Sequence, residues 1–180
     1  MVKLLTKTIA YFSQYLKIGR VKILRSRKMV INNHLKNRFG AGMYFDLKRG
    51  IVDFGEYINA RRNFSCIVDD GGHLSIGSNC FFNHNCSITC LRSVTIGNSS
   101  TFGNNLVIVD HDHDFKRGNG YLKAPVVIGN NVWIGANVTI FKGTTIRDNS
   151  IIAAGAVVSG TVPPNSILIQ KRTNIIKNKV

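Results

Sequence analysis

A six-residue step runs through this sequence and leaves few folds open to it. Ile128, Ile134, Ile140, Ile146, Ile152 and Val158 follow one another at that interval, and glycine directly follows the first two. The step recurs upstream in Ile76, Phe82 and Ile88, and again in Ile96, Phe102 and Ile108. Two extra residues separate Ile88 from Ile96, and a long insertion runs from Val109 to Val126. Such a period is too long for a helix and too long for simple strand alternation. It does fit a solenoid with three flat faces, each taking one hexapeptide and turning its aliphatic residue inward. Coils then stack as parallel strands, and each buries its core against its neighbours. Runs such as Gly129-Asn130-Asn131 supply residues that tolerate the backbone of sharp corners. A β-sandwich is the rival, and it would need the spacing to be coincidental.

The expected fold is therefore all-β, a parallel β-helix of hexapeptide repeats over 46–165 with a protruding loop at 109–126. A basic amphipathic segment, 1–45, precedes it and a basic tail, 166–180, follows. Leu5, Ile9, Phe12 and Leu16 have helical spacing, so the N-terminal segment is expected to be helical. At 180 residues the chain suits one domain with an ordinary core.

The formal charge of +15 is uneven, because Asp46 is the first acidic residue. A basic block of this kind can meet nucleic acid, anionic lipid or a polyanionic substrate. No helix-turn-helix, RNP-like or zinc-finger pattern accompanies it, so no nucleic-acid partner is expected. A basic amphipathic helix can lie on an anionic membrane, giving peripheral association; packing against the coil or a second subunit is the other reading. Lys3, Lys7 and Lys17 interrupt every apolar run near the N-terminus, which argues against a membrane span or a signal peptide. Cys66, Cys80, Cys86 and Cys90 show no CxxC pairing and no zinc-like spacing. A reduced, cytoplasmic location is expected, at the inner face of the membrane if the N-terminal segment docks there.

The run Val127-Ile128-Gly129-Asn130-Asn131-Val132-Trp133-Ile134-Gly135-Ala136 resembles the signature of the hexapeptide-repeat acyltransferases. The likeness is to the maltose and galactoside O-acetyltransferases and to the O-acetyltransferases of surface polysaccharide synthesis. It implies a left-handed coil, against the usual crossover preference, and a homotrimer with its active sites between subunits. It also implies acetyl-CoA as co-substrate, no metal, and a saccharide acceptor in capsule or O-antigen biosynthesis.

The insertion carries Asp110-His111-Asp112-His113-Asp114-Phe115. A coil gains nothing from such an excursion, so function is expected there. A sugar hydroxyl is a poor nucleophile, and a neutral imidazole can take its proton as it attacks a thioester. His111 and His113 face the same side of an extended segment, so parity cannot choose between them. His113-Asp114-Phe115 resembles the His-Asp-aromatic stretch of the polysaccharide branch, which favours His113 as the base. Asp110 or Asp112 could hold the other ring nitrogen. Competing readings are a metal site on the His-x-His pair and a solvated loop with no role.

The resemblance also implies acceptor contacts from Asn85, although asparagines commonly stack at β-helix corners; Asp112 is a second substrate-binding candidate. On the CoA side it points to Trp133, Gly135, Ala136, Ala154 and Ser159, with an oxyanion donor among the N–H groups near Gly135-Ala136. The tail departs from the family pattern, reading Lys171-Arg172-Thr173. Lys171 or Arg172 could still pair with a CoA phosphate. Alternative functions are acetyl transfer to serine, an amino sugar or a xenobiotic, and a β-helix that is a metal enzyme or a scaffold.

Overall fold

The computed structural model of the chain describes residues 29–31, 36–116, 118 and 120–171. Every third strand falls in the same sheet, giving parallel sheets of seven, seven and six strands that form the three faces of a β-helix. Among the described residues none lies in an α-helix, and no helix there is long and apolar enough to cross a membrane.

The hexapeptide anchors become three inward ladders. On the first face Phe54, Ile76, Ile96, Ile128, Ile146 and Val162 stand in register. On the second, Ala60, Phe82, Phe102, Ile134, Ile152 and Leu168 do so. Phe45, Cys66, Ile88, Ile108, Ile140 and Val158 complete the third. All but Leu168 are buried, and full burial of an aliphatic or aromatic side chain contributes roughly 1.5–3 kcal/mol. Aromatics fill the upstream coils: Phe82 and Phe102 stack with centroids 4.5 Å apart, and Phe64 packs on Phe82 at a tilt with centroids 4.8 Å apart.

The corners follow from residue type. Asn63, Asn85, Asn105 and Asn137 adopt left-handed φ angles of 57° to 61°, which asparagine tolerates better than other residues with a Cβ. Their amides form a ladder, each donating Nδ2–H to the Oδ1 of the next at 2.9, 3.0 and 2.8 Å. A second ladder joins Asn131, Asn149 and Asn165 at another corner.

The boundaries differ from those read off the sequence. The solenoid begins upstream of residue 46, because Arg38–Phe39 pairs with Asn59–Ala60 and Tyr44–Asp46 pairs with Ser65–Val68. Met29–Ile31 pairs in turn with Ile51–Phe54. In these coils the corners at 47–50 and 69–72 are longer than a hexapeptide allows, so the step is hidden in the sequence. Downstream, Ile167–Leu168 extends the second sheet past residue 165. The helix expected over the first residues lies outside the described residues.

Candidate active site

The insertion folds as a β-hairpin that stands off the coil. His111–His113 pairs antiparallel with Tyr121–Lys123, placing His113 opposite Tyr121 and His111 opposite Lys123. Both imidazoles flank the Tyr121 ring, at centroid distances of 5.1 Å for His111 and 5.0 Å for His113. The shared side expected from strand parity is therefore what forms.

The base of the hairpin is fixed by Asp110, which is fully buried. Its carboxylate accepts N–H bonds from Leu91, Arg92 and Ser93 at 2.8, 2.7 and 2.8 Å. These are the residues of the corner made by the two extra positions between Ile88 and Ile96. Asp110 Oδ1 also lies 3.3 Å from His111 Nδ1. The orienting carboxylate thus serves His111, whose side chain is only 15% exposed, whereas His113 is exposed.

Asp112 does not serve either histidine. It turns to the opposite side and pairs with Lys142 of the next coil at 3.0 Å, as an alternating strand requires. On the upstream side Lys123 pairs with Asp70, and Arg92 Nη1 donates to the Lys123 carbonyl at 3.1 Å. The bond from Lys123 holds the Asp70 carboxyl below the usual carboxylate range. This brace persists at neutral pH and is lost as the pH falls through that lowered value. The hairpin is thus held to coils on both sides, a cross-link that sequence spacing could not reveal.

Gly135, Ala136 and Ala154 share one corner, between the second and third faces, with Trp133 on the strand that leads into it. A Cβ on Gly135 would lie 2.5 Å from the Ala154 nitrogen. Its glycine is therefore required by coil stacking, whatever else approaches. The Gly135 N–H donates to the Ile152 carbonyl at 2.8 Å, which leaves the Ala136 N–H as the donor open to a ligand. Trp133 is 56% exposed and Ala154 is exposed. Ser159 stands apart from this group, exposed at the following corner next to Gly160. Arg172 lies outside the described residues, and Lys171 is exposed.

Asn85 occupies the same corner as Gly135, two coils upstream, with its amide engaged to Asn63 and Asn105. The hairpin leaves a different corner, between the third and first faces. Within one chain Asn85 and the histidines are not brought together.

The comparisons with known proteins bear on this arrangement. A family model, the hexapeptide repeat of succinyl-transferase, matches residues 73–109 and 125–159. Nodulation protein L of Rhizobium meliloti is 36% identical over 124 residues, covering 67% of each chain. The chain belongs to the hexapeptide-repeat acyltransferase family. Galactoside O-acetyltransferase of Escherichia coli is 39% identical over 101 residues, 54% of this chain and 50% of that relative. The chain thus spans about half the length of curated relatives such as this one. A maltose O-acetyltransferase from Clostridium difficile superposes with a TM-score of 0.58 at 35% identity, over 63% of this chain and 62% of that one.

In this hexapeptide-repeat chain the cysteines are core residues. All four are free and buried. Burial pushes the Cys80 and Cys86 thiols up to about 11. Burial, with Asp110 adding to it, pushes Cys90 to about 12. Cys66 is also raised by burial. The thiolate is the reactive form, so these groups are inert. A thiol reagent applied near pH ~8 should label none of them until the protein is unfolded. Prompt labelling of the native protein would contradict that. Among the described residues no group of three metal-ligating side chains forms.

Proposed function

We propose that this chain is an O-acetyltransferase that moves an acetyl group from acetyl-CoA to a sugar hydroxyl, in the biosynthesis of a surface polysaccharide. The observation that carries the proposal is the hairpin, which presents His111 and His113 on one side of a hexapeptide-repeat coil. The sugar O-acetyltransferases among the relatives support the acceptor class.

In this reading His113 is the general base, as the resemblance favours, because its exposed ring can reach an acceptor. Its neutral imidazole takes the hydroxyl proton as the oxygen attacks the acyl carbon, and returns that proton to the departing sulfur. His111 is a positioning residue: Asp110 holds its Nδ1, and it packs on the Tyr121 ring that His113 also touches. Acetyl-CoA supplies the activated acyl group. Its pantetheine arm fits the corner of Gly135, Ala136 and Ala154, where no side chain extends beyond a Cβ, and the Ala136 N–H can stabilise the oxyanion. Trp133 borders that path, Ser159 stands at the following corner, and Lys171 or Arg172 is positioned in sequence to meet a phosphate.

A homotrimer is part of the proposal. The corner carrying Asn85 and Ala136 and the corner carrying the hairpin are separate in one chain, so a second copy must bring them together. Trp133, Phe115 at 84% exposure, and Ile167 at 63% are apolar surface that such contacts would cover. The unpaired cysteines support a cytoplasmic setting.

Titration calorimetry with acetyl-CoA tests this reading. Saturable binding near ~1 CoA per chain is expected, followed by transfer to at least one saccharide in an acceptor screen. Transfer to serine or an amino-sugar amine, but to no sugar hydroxyl, would reject the acceptor class. Absence of binding at millimolar ligand would reject the enzyme reading itself.

A further inference from the structure

We propose that Arg38, Arg61 and Arg62 form a binding site for an anionic group on the acceptor, so that the acceptor is an acidic or phosphorylated saccharide. The inference rests on the acyltransferase reading above and specifies its substrate class.

The three guanidinium groups are exposed and have no carboxylate partner among the described residues. All nine acidic residues of the chain lie within those residues. The ones nearest in sequence are committed elsewhere: Asp46 to Lys48, Asp53 to His73, Glu56 to Lys36 and Asp69 to Arg49. Arg38 opens one strand, and Arg61 and Arg62 stand at the corner that follows the neighbouring strand. These three like charges repel one another, and no carboxylate among the described residues pairs with them. An anionic ligand would.

The cluster stands where an acceptor would end. Arg38 is the register partner of Asn59, which pairs with Phe81, and the Arg61 guanidinium is held 5.6 Å over the Phe81 ring. Stacking of this kind fixes a guanidinium before a ligand arrives. The Arg62 carbonyl accepts the Asn85 N–H at 3.0 Å, and Asn63, next in the chain, donates to Asn85 Oδ1 at 2.9 Å. The cluster is therefore one coil, about 4.8 Å, from the proposed acceptor-side residue.

That corner carries a graded series along the coil axis. Ala154 and Ala136 lie on the donor side, then Asn104 and His84, and finally Arg62, each one coil from the next. From Ala136 to Arg62 is three coils, roughly 14 Å, a length that exceeds a single sugar ring. An anionic group bound by the arginines would thus sit beyond the sugar that carries the reacting hydroxyl. Guanidinium forks match carboxylate and phosphate oxygens equally well. The shared chemistry is an anionic oxygen group, from an acidic sugar or from a diphosphate linkage.

The test uses the full chain and four probes: a sialic acid tetramer, UDP-N-acetylglucosamine and neutral maltotetraose in calorimetry, and phosphatidylglycerol vesicles in co-sedimentation. Wild-type protein should bind at least one acidic probe, and the double variant Arg61→Gln/Arg62→Gln should bind it about tenfold or more weakly. Arg61→Lys/Arg62→Lys should recover part of that affinity. Binding of the sialic acid tetramer alone identifies a carboxylate source, and binding of the nucleotide sugar alone a diphosphate. Acetyl-CoA affinity, measured on the same samples, separates the two hypotheses. CoA binding with acidic-probe affinity unchanged in the Gln variant, or with no acidic probe bound, overturns this inference and leaves the acyltransferase reading standing. Loss of affinity only for phosphatidylglycerol vesicles would overturn it in favour of a membrane contact.

Discussion

Replacing His113 by alanine should lower turnover by about 10²- to 10⁴-fold, the range expected when a general base is removed. The side chain is exposed on a hairpin strand, where it packs against the Tyr121 ring. Removing it therefore leaves the core and the hairpin braces intact. Acetyl-CoA affinity and the unfolding midpoint should stay at wild-type values. His111→Ala should cost less, about tenfold, because that ring only positions its neighbour. The comparison is informative in either direction. If His111→Ala is the more damaging variant, the base is His111, oriented by Asp110. Near-wild-type turnover in both variants would remove histidine from the mechanism.

Asp110→Ala should be the most destabilising single change in the site. Its carboxylate satisfies three backbone N–H groups at the Leu91–Ser93 corner, and it is itself fully buried. Each donor left without a partner costs about 1–3 kcal/mol. Partial rescue by water brings the expected total to about 3–5 kcal/mol. For a chain of this length that lowers Tm by roughly 10 °C. Asp110→Asn should recover little, since one carbonyl oxygen cannot replace a carboxylate facing three donors. Denaturant unfolding read against Asp112→Ala, whose exposed carboxylate pairs with Lys142, provides the control. Equal stability of the two variants would mean that the corner does not depend on Asp110.

The two predictions bear on different parts of what was legible in the sequence. The inward ladders were legible because each anchor meets the same residue class every coil, so local spacing and tertiary contact carry the same information. Asn85 was legible as a candidate, and its place in the amide ladder with Asn63 and Asn105 shows how strongly coil stacking uses that position. The pairing of Asp110 with His111 rather than with His113 was not legible. Asp110 and Asp112 are two residues apart, so strand parity does not tell them apart; only the buried corner at 91–93 holds Asp110 inward, while Asp112 reaches Lys142.

The arginine cluster was hidden for a similar reason. Arg38 is separated in sequence from Arg61 and Arg62 by more than a full coil. They become neighbours only because residues about one coil apart stack across a single strand spacing.

By itself, then, the sequence determined the hexapeptide solenoid, its three inward faces and the insertion that carries the two histidines. Those features depend on short-range periodicity, which survives in one dimension. Tertiary structure alone decided where the coil begins and which carboxylate anchors the hairpin. It also decided which N–H at the Gly135–Ala136 corner stays open and which unpaired charges share an edge. Those outcomes depend on contacts between coils, and a linear chain does not display which residues lie one coil above another.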